Sequence, residues 1–277
     1  MKTAFPAGHF YSPIVDTNSI KETLWSEEKQ ILGIDFNDKS HLEILEHDFP
    51  KFINKYDYPE ILPESNDLTQ FYTRNSQFSW LDSRTLFVLL NTWQPQKLIE
   101  VGSGFSSLLS ADVNNRFLNN NMYLQCIEPY PREFLLRKIP GMNEVIVKKV
   151  EDLPLNFFEN LEDGDVLFID SSHISKTGSD VNYLIFEVLP RLKKGVKVHI
   201  HDIFLPNEYP KEWVISENRS WNEQYLLRGL LMFSNAFKVI FGCTYAFKKF
   251  PEKVISALNH PKKYGFAGSS FWIEKMI

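Results

Sequence analysis

From Lys97 to the end of the chain, short apolar runs keep returning between amphipathic stretches, and this alternation restricts the fold more than any other property of the sequence. Seven runs read as strands: Lys97 to Val101, Met122 to Glu128, Val145 to Lys149, Asp165 to Asp170, Val196 to His201, Phe237 to Gly242 and Ser270 to Lys275. Helical spacing is clearest between the fourth and fifth, where Val181, Leu184, Ile185, Val188, Leu189 and Leu192 fall on one face and Gly195 follows as a C-terminal cap. Pro190 is expected to bend the final turn of that helix. Strands separated by helices can pair in parallel, so the pattern predicts an α/β fold with a sheet covered by helices.

The first of these strands runs into the turn Glu100-Val101-Gly102-Ser103-Gly104, with a helix expected to start near Phe105. Gly102 and Gly104 carry no Cβ, so a ligand could lie against the backbone of this turn. Glu100 would repel a pyrophosphate and suits a cationic ligand, and Ser107 stands where the dinucleotide fingerprint has its third glycine. A tight turn with a purely structural role is the alternative reading.

The opening 70 or so residues differ in character, being rich in Asp, Asn, Pro and aromatics. One helix is signalled there, with Ser40 as N-cap, Glu43 three residues on, and Leu42, Leu45 and Phe49 on one face; Pro50 should end or kink it. The chain thus divides into residues 1–75, an appendage that would serve as a lid or a dimer element, and a domain of residues 76–277. Within that domain the segment Ile203 to Trp221 interrupts the alternation and carries Phe204, Tyr209, Trp213 and Trp221. Its position, just after the fifth strand, is where loops cover a ligand in open α/β sheets, although aromatics packed on the core would look the same.

A net charge of −5 with lysines scattered among acids argues against a nucleic-acid surface. The N-terminus lacks an apolar signal core and the longest apolar runs, such as Leu86 to Leu90, are too short for a bilayer, so a cytoplasmic location without membrane contact is expected. Cys126 and Cys243 lack the spacing of a disulfide framework or a zinc site. A homo-oligomer is left open.

Successive strands end in acids: Glu100, Glu128, Asp152 shortly after the third, and Asp170, with His201 and Asp202 closing the fifth. Together they would line one edge of one sheet. The step of 28 residues from Glu100 to Glu128 fits a helix and a returning strand, which puts a carboxylate where two ribose hydroxyls could donate to it. Pro129 fixes the backbone after that strand, and Tyr130 offers a wall for a base.

The segments Ile99 to Gly104, Ile127-Glu128-Pro129, Glu151-Asp152-Leu153 and Asp165 to His173 resemble the successive motifs of class I S-adenosylmethionine-dependent methyltransferases, over roughly Phe78 to Ile277. The resemblance implies a Rossmann-like, seven-stranded methyltransferase sheet, mostly parallel with the last strand inserted antiparallel beside the sixth, here carrying an N-terminal helical appendage. It also implies S-adenosylmethionine as cofactor. Glu100 and the backbone of Gly102, Ser103 and Gly104 would hold its methionine part, Glu128 with Pro129 the ribose, and Glu151-Asp152 the adenine, with Asp170 at the same strand edge. His201 to Pro206 and Trp221 to Leu227 are similar to a bacterial subgroup of small-molecule methyltransferases of mostly unassigned substrate.

A sulfonium methyl is already activated, so the protein must align donor and acceptor and, for a hydroxyl acceptor, take up a proton. His173 lies three residues past Asp170 and titrates in the range a general base needs; a hydrogen-bonded loop histidine is the bland alternative. Asp170 and Asp202 end adjacent strands and could converge on a divalent cation such as magnesium, as acids at these strand ends do in the catechol-type members. The chain departs from that pattern at Ile203, which stands where an amide ligand would be expected. Methylation of a small-molecule hydroxyl, on a sugar or secondary metabolite, with His173, Asp170 and Asp202 as catalytic groups, is the expected function. A nicotinamide-dependent oxidoreductase and a non-catalytic nucleoside-binding module are the alternatives. Glu223 and Asn222 are expected to cap their helix rather than to touch an acceptor.

Overall fold

The computed structural model describes residues 4–27, 29–61, 70–259 and 268–277. Its centre is a seven-stranded sheet of β1 (Lys97–Val101), β2 (Tyr123–Ile127), β3 (Glu144–Ile146), β4 (Val166–Ile169), β5 (Lys197–Ile200), β6 (Phe237–Gly242) and β7 (Phe271–Lys275). The spatial order is β3-β2-β1-β4-β5-β7-β6. The first five strands are parallel, and β7 enters antiparallel between β5 and β6, as the resemblance implied. β1 and β4 are adjacent although the chain places β2 and β3 between them, so the strand order reverses there. That reversal opens a crevice at the carboxyl ends of the strands.

The strands are apolar because both faces are covered. On one side Leu98, Leu124, Phe168 and Trp272 pack against the helices Trp80–Trp93 and Phe105–Phe117; on the other, Ile99, Leu167, Val198 and Ile273 meet the helical stretch from Asp180 to Arg191 and the helix Glu223–Leu231. Each fully buried Leu, Ile or Phe contributes about 2–3 kcal/mol, and the alternation of side chains across each strand is what divides the core into these two layers.

Both prolines placed inside helical patterns are accommodated rather than terminal. Asp38–Glu43 continues through a π-helical turn, Ile44–Asp48, into Phe49–Phe52 with Pro50 inside it, and Asp180–Tyr183 continues through Leu184–Val188 into Leu189–Arg191 around Pro190. A widened turn relieves the ring clash and the missing N–H of proline. Ser40 does not cap its helix: that helix begins at Asp38, after Asn37 in the left-handed region (φ 59°), whose carbonyl accepts from the Ser40 N–H.

Described residues of the first 75 pack into the main core. Ile44, Leu45, Phe49, Ile53 and Phe71 pack in the same cluster as Leu86, Phe87 and Trp272. His41 Nε2 accepts from the Gly242 N–H at 2.8 Å, and burial pushes this imidazole down to about 4, so it is a neutral acceptor at the edge of β6. Further along, Trp25 donates to the Tyr209 carbonyl and Lys29 pairs with Glu208, which fastens the N-terminal segment to the loop after β5. Among the described residues no helix is long and apolar enough to cross a membrane.

Candidate functional site

A cavity of about 420 Å³ opens at the reversal point. One wall is the β1 turn. Gly102 sits at φ +79°, and a Cβ there would lie 1.8 Å from the Asp170 carbonyl oxygen, so only glycine lets β1 and β4 approach this closely while each strand turns outward. The Gly102 N–H donates to the Ile127 carbonyl and the Asp170 N–H to the Val101 carbonyl, locking the three strand ends together.

Glu128, at the end of β2, accepts from the Ser103 N–H at 3.1 Å and from the Tyr130 N–H at 2.8 Å. Its carboxylate is therefore held in place at the rim, with lone pairs left over for a diol. Pro129, Tyr130, Lys149, Val150 and Glu151 continue the wall. Tyr130 is 79% exposed, an aromatic face left open at the cavity mouth. The opposite wall is the loop after β4, comprising Ser171, Ser172, Lys176, Gly178, Ser179 and Asp180. This loop is braced by Asp180, which accepts from both the N–H and the hydroxyl of Ser172. Ser171 and Ser172 belong to the Asp165 to His173 motif, while Lys176, Gly178, Ser179 and Asp180 carried no sequence assignment; the Gly178-Ser179-Asp180 helix start was the available signal, and Ser179 does accept from the Asn182 N–H as an N-cap.

Of the residues expected to hold a cofactor, Gly102, Glu128, Pro129, Glu151 and Asp170 line the cavity. Ser103 and Gly104 continue the same turn without lining it, and Asp152 is exposed and turned away from it by the short 3₁₀ segment Val150–Asp152. Glu100 does not line the cavity. Its side chain is wholly buried behind the turn, where it accepts from the Ser106 hydroxyl and meets the Cys126 thiol, so it braces the turn from beneath.

Burial pushes the Glu100 carboxyl up to about 8, against the stabilising effect of the Ser106 and Ser107 hydroxyls on its charged form. The sign follows directly. The folded protein keeps this proton above the pH at which the unfolded chain releases it, so the native state loses stability as pH rises from the ordinary carboxyl range to about 8. Glu100→Gln should remove that loss, and its advantage over the parent should grow by on the order of 3 kcal/mol between pH 5 and 8. Urea denaturation at both pH values reads the difference. An equal effect at the two pH values would mean that Glu100 is already ionised in the fold.

Asp170 also belongs to a second group. His173 Nε2 lies 3.3 Å from Asp170 Oδ1 and 3.6 Å from Asp202 Oδ2, and His173 Nδ1 lies 3.0 Å from Glu223 Oε2. Three carboxylates from β4, the end of β5 and the helix Glu223–Leu231 thus surround one imidazole. Glu223, 1% exposed, also accepts from the Ser171 hydroxyl, while the Asn222 and Glu223 N–H groups donate to the His173 carbonyl. Capping of its own helix is therefore not its role, a correction that no local sequence pattern could have supplied because its partner is 50 residues away. His173 (φ 61°) and Asp202 (φ 55°) are both in the left-handed region, and non-glycine residues held there concentrate at functional sites.

Electrostatics set the protonation of this group. Burial opposes charge on His173, but hydrogen bonds and charge from Asp170 and Glu223 outweigh it and push its pKa up to about 10. At neutral pH His173 therefore holds its proton and acts as a donor. Burial favours neutral Asp170, yet His201 and His173 hold it below the usual carboxylate range. His201 is itself raised, burial being overcome by Asp202, Asp170 and Asp82. His199, stacked on Phe168 at 3.7 Å with Nε2 2.9 Å from the Ser270 hydroxyl, is pushed well down by burial and is a core histidine.

The aromatic segment after β5 divides in two. Phe204 and Tyr209 are buried packing residues, whereas Trp221 lies with its ring 4.3 Å from that of His173, backed by Arg219, whose guanidinium sits between Trp221 and Trp213.

Comparison with known proteins adds a family. The model of a methyltransferase domain matches residues 99–203, from β1 to just past β5. A protein of Archaeoglobus fulgidus, itself uncharacterized, is 40% identical over 169 residues, which are 57% of this chain and 74% of that one. Among solved structures, a Thermobifida fusca YX chain provisionally named a methyltransferase shares 13% identity over 70% of this chain and 79% of its own, with a TM-score of 0.47. A Plasmodium falciparum chain, provisionally a protein-L-isoaspartate O-methyltransferase and solved with S-adenosyl-L-homocysteine, shares 18% identity over 60% of this chain and 84% of its own, with a TM-score of 0.35. Likenesses as distant as these last two bear on neither substrate nor mechanism.

Proposed function

The chain belongs to the class I S-adenosylmethionine-dependent methyltransferases, and from that premise we propose that it methylates a hydroxyl group of a small molecule. One observation carries the proposal: Asp170 lines the cofactor cavity and at the same time belongs to the Asp170–His173–Asp202 group, so a methyl donor in the cavity would abut a set of proton-handling side chains. In this reading Glu128 binds the ribose, Glu151 and Tyr130 flank the adenine, and the backbone from Gly102 to Gly104 faces the methionine part.

Transfer to a hydroxyl breaks the sulfonium C–S bond, forms a C–O bond and releases the hydroxyl proton. With His173 charged, the proton acceptor is a carboxylate. Asp202 suits the task, since the Ser269 hydroxyl holds its Oδ1 and its Oδ2 faces His173. His173 orients the acceptor oxygen, and Trp221 walls the acceptor side. In place of the His173 proton, the same three side chains would fit a divalent cation, two carboxylate oxygens and one deprotonated imidazole nitrogen being within 4.8 Å of one another. Such an ion, when bound, would lower the pKa of an acceptor hydroxyl. The acidic balance of the chain supports a small acceptor over nucleic acid, and two buried free thiols support a cytoplasmic setting.

Calorimetry with S-adenosylmethionine, S-adenosylhomocysteine and NAD tests the donor side, and we expect binding of the two sulfur ligands alone. A metabolite screen for transfer from methyl-labelled cofactor tests the acceptor. Label appearing only on nitrogen or carbon products would overturn the hydroxyl assignment.

A further inference from the structure

We propose that the methyl acceptor is a neutral polyhydroxylated molecule about two sugar rings long, and that its non-reacting end occupies a second cavity, of about 360 Å³, over the ends of β5, β7 and β6. The proposal deepens the methyltransferase reading, on which it rests, by naming the class of acceptor and the place that holds it.

The sheet sets the placement. The His201 N–H donates to the Ile169 carbonyl, the Ile203 N–H to the Ser269 carbonyl and the Cys243 N–H to the Ser270 carbonyl, so the ends of β4, β5, β7 and β6 follow one another along a single edge. The cofactor cavity includes Asp170 after β4 but no residue of β5 or beyond. The second cavity takes up the same edge farther along, at Phe204 after β5, Gly268 before β7 and Thr244 after β6, and shares no lining residue with the first. Asp202 stands between the two: its Oδ1 accepts, at 2.8 Å, from the hydroxyl of Ser269, the residue that follows Gly268. From β4 across β5 to β7 is two strand spacings, about 10 Å, so an acceptor whose hydroxyl meets Asp202 and the donor methyl needs about the span of two sugar rings to fill the second cavity.

The lining sets the class. Its outer wall is the N-terminal segment, where Trp25 is fixed by its Nε1–H on the Tyr209 carbonyl at 2.9 Å. Trp25 and Phe247, from the helix Cys243–Lys249, supply apolar faces on which the C–H face of a sugar ring can pack. Charges in the lining cancel, Lys29 and Lys248 against Glu27 and Glu208, so a phosphorylated acceptor would lose its hydration without net compensation. Glu208 is already engaged, by Lys29 at 2.5 Å and by the Tyr225 hydroxyl at 2.7 Å. The Asn207 side-chain amide, whose backbone carbonyl alone is held by Gln224, has no partner among the described residues and offers two donors and an acceptor. The Thr244 hydroxyl spends its proton on the Gly268 carbonyl, so its oxygen can only accept. Hydroxyl groups, which donate and accept at once, satisfy both; an apolar ring would leave them unpaired.

The test is saturation-transfer NMR on the full-length protein with S-adenosylhomocysteine present. The probes are maltose, cellobiose, lactose and sucrose as neutral disaccharides, with glucose, glucose 6-phosphate and catechol for comparison. We expect at least one disaccharide to bind more tightly than glucose, and glucose 6-phosphate and catechol to bind about tenfold more weakly than it or not at all. Leu24→Trp, which fills the cavity from its N-terminal wall, should abolish disaccharide binding, and Asn207→Ala, at an exposed position, should weaken it about fivefold. Calorimetry should give both variants the parental affinity for S-adenosylhomocysteine, which shows that each keeps its fold. The proposal is overturned if no disaccharide binds, if glucose 6-phosphate or catechol binds better, or if the folded variants bind the disaccharide as the parent does. Disaccharide binding by a parent that takes up no S-adenosylhomocysteine would overturn the methyltransferase assignment instead.

Discussion

Gly102→Ala should cost roughly 3 kcal/mol or more of stability and abolish cofactor binding. The new Cβ would overlap the Asp170 carbonyl oxygen at 1.8 Å, and φ of +79° is unfavourable for any L side chain. Relief requires β1 and β4 to separate at their carboxyl ends, which displaces the N–H of Asp170 from the Val101 carbonyl and moves the one residue shared by cavity and proton-handling group. Gly104→Ala is the control. There φ is −170° and no atom lies within 4 Å, so stability should stay within about 0.5 kcal/mol of the parent. A methyl at that point still narrows the turn a ligand would lie against, so affinity for S-adenosylhomocysteine should fall about tenfold, or about 1.4 kcal/mol. Thermal denaturation and calorimetry on the two variants separate the effects. A Gly102→Ala protein with parental melting and affinity would refute the close approach of the two strands.

Asp202→Asn and His173→Gln should each lower turnover by on the order of a hundred- to ten-thousandfold on the true acceptor. Both substitutions are close in shape. The asparagine amide oxygen could still accept from the Ser269 hydroxyl, and the glutamine retains a donor for Glu223 but removes the positive charge that faces the three carboxylates, so some loss of stability should accompany the second substitution. S-Adenosylhomocysteine affinity should change by less than about threefold, under about 1 kcal/mol, because neither side chain lines the cofactor cavity. Initial rates at saturating cofactor give the first quantity and calorimetry the second. Parental turnover in both variants would remove Asp202 and His173 from the reaction.

Much of this architecture could be read along the chain because its determinants are local. The seven predicted strands are all present within a residue or two at most ends, since an apolar run of strand length flanked by turn residues reports on burial at its own position. β3 is shorter than expected, stopping at Ile146, because it is the outer strand and Val147 is already exposed. Glu128 was legible at its strand end for the same local reason. Glu100 was not: a strand-end acid looks the same whether it faces a ligand or, as here, a buried serine hydroxyl across the turn.

The order of elements, the glycine that lets two strand ends meet, and the edge on which the acids gather are all written in the chain itself. Strand period, turn chemistry and spacing suffice for these, because each depends on neighbours a few residues away. How His173 is charged and aimed comes from packing alone. Its three carboxylate neighbours come from positions 170, 202 and 223, and the balance between burial and their charges exists only once β4, β5 and the helix at Glu223 are packed together.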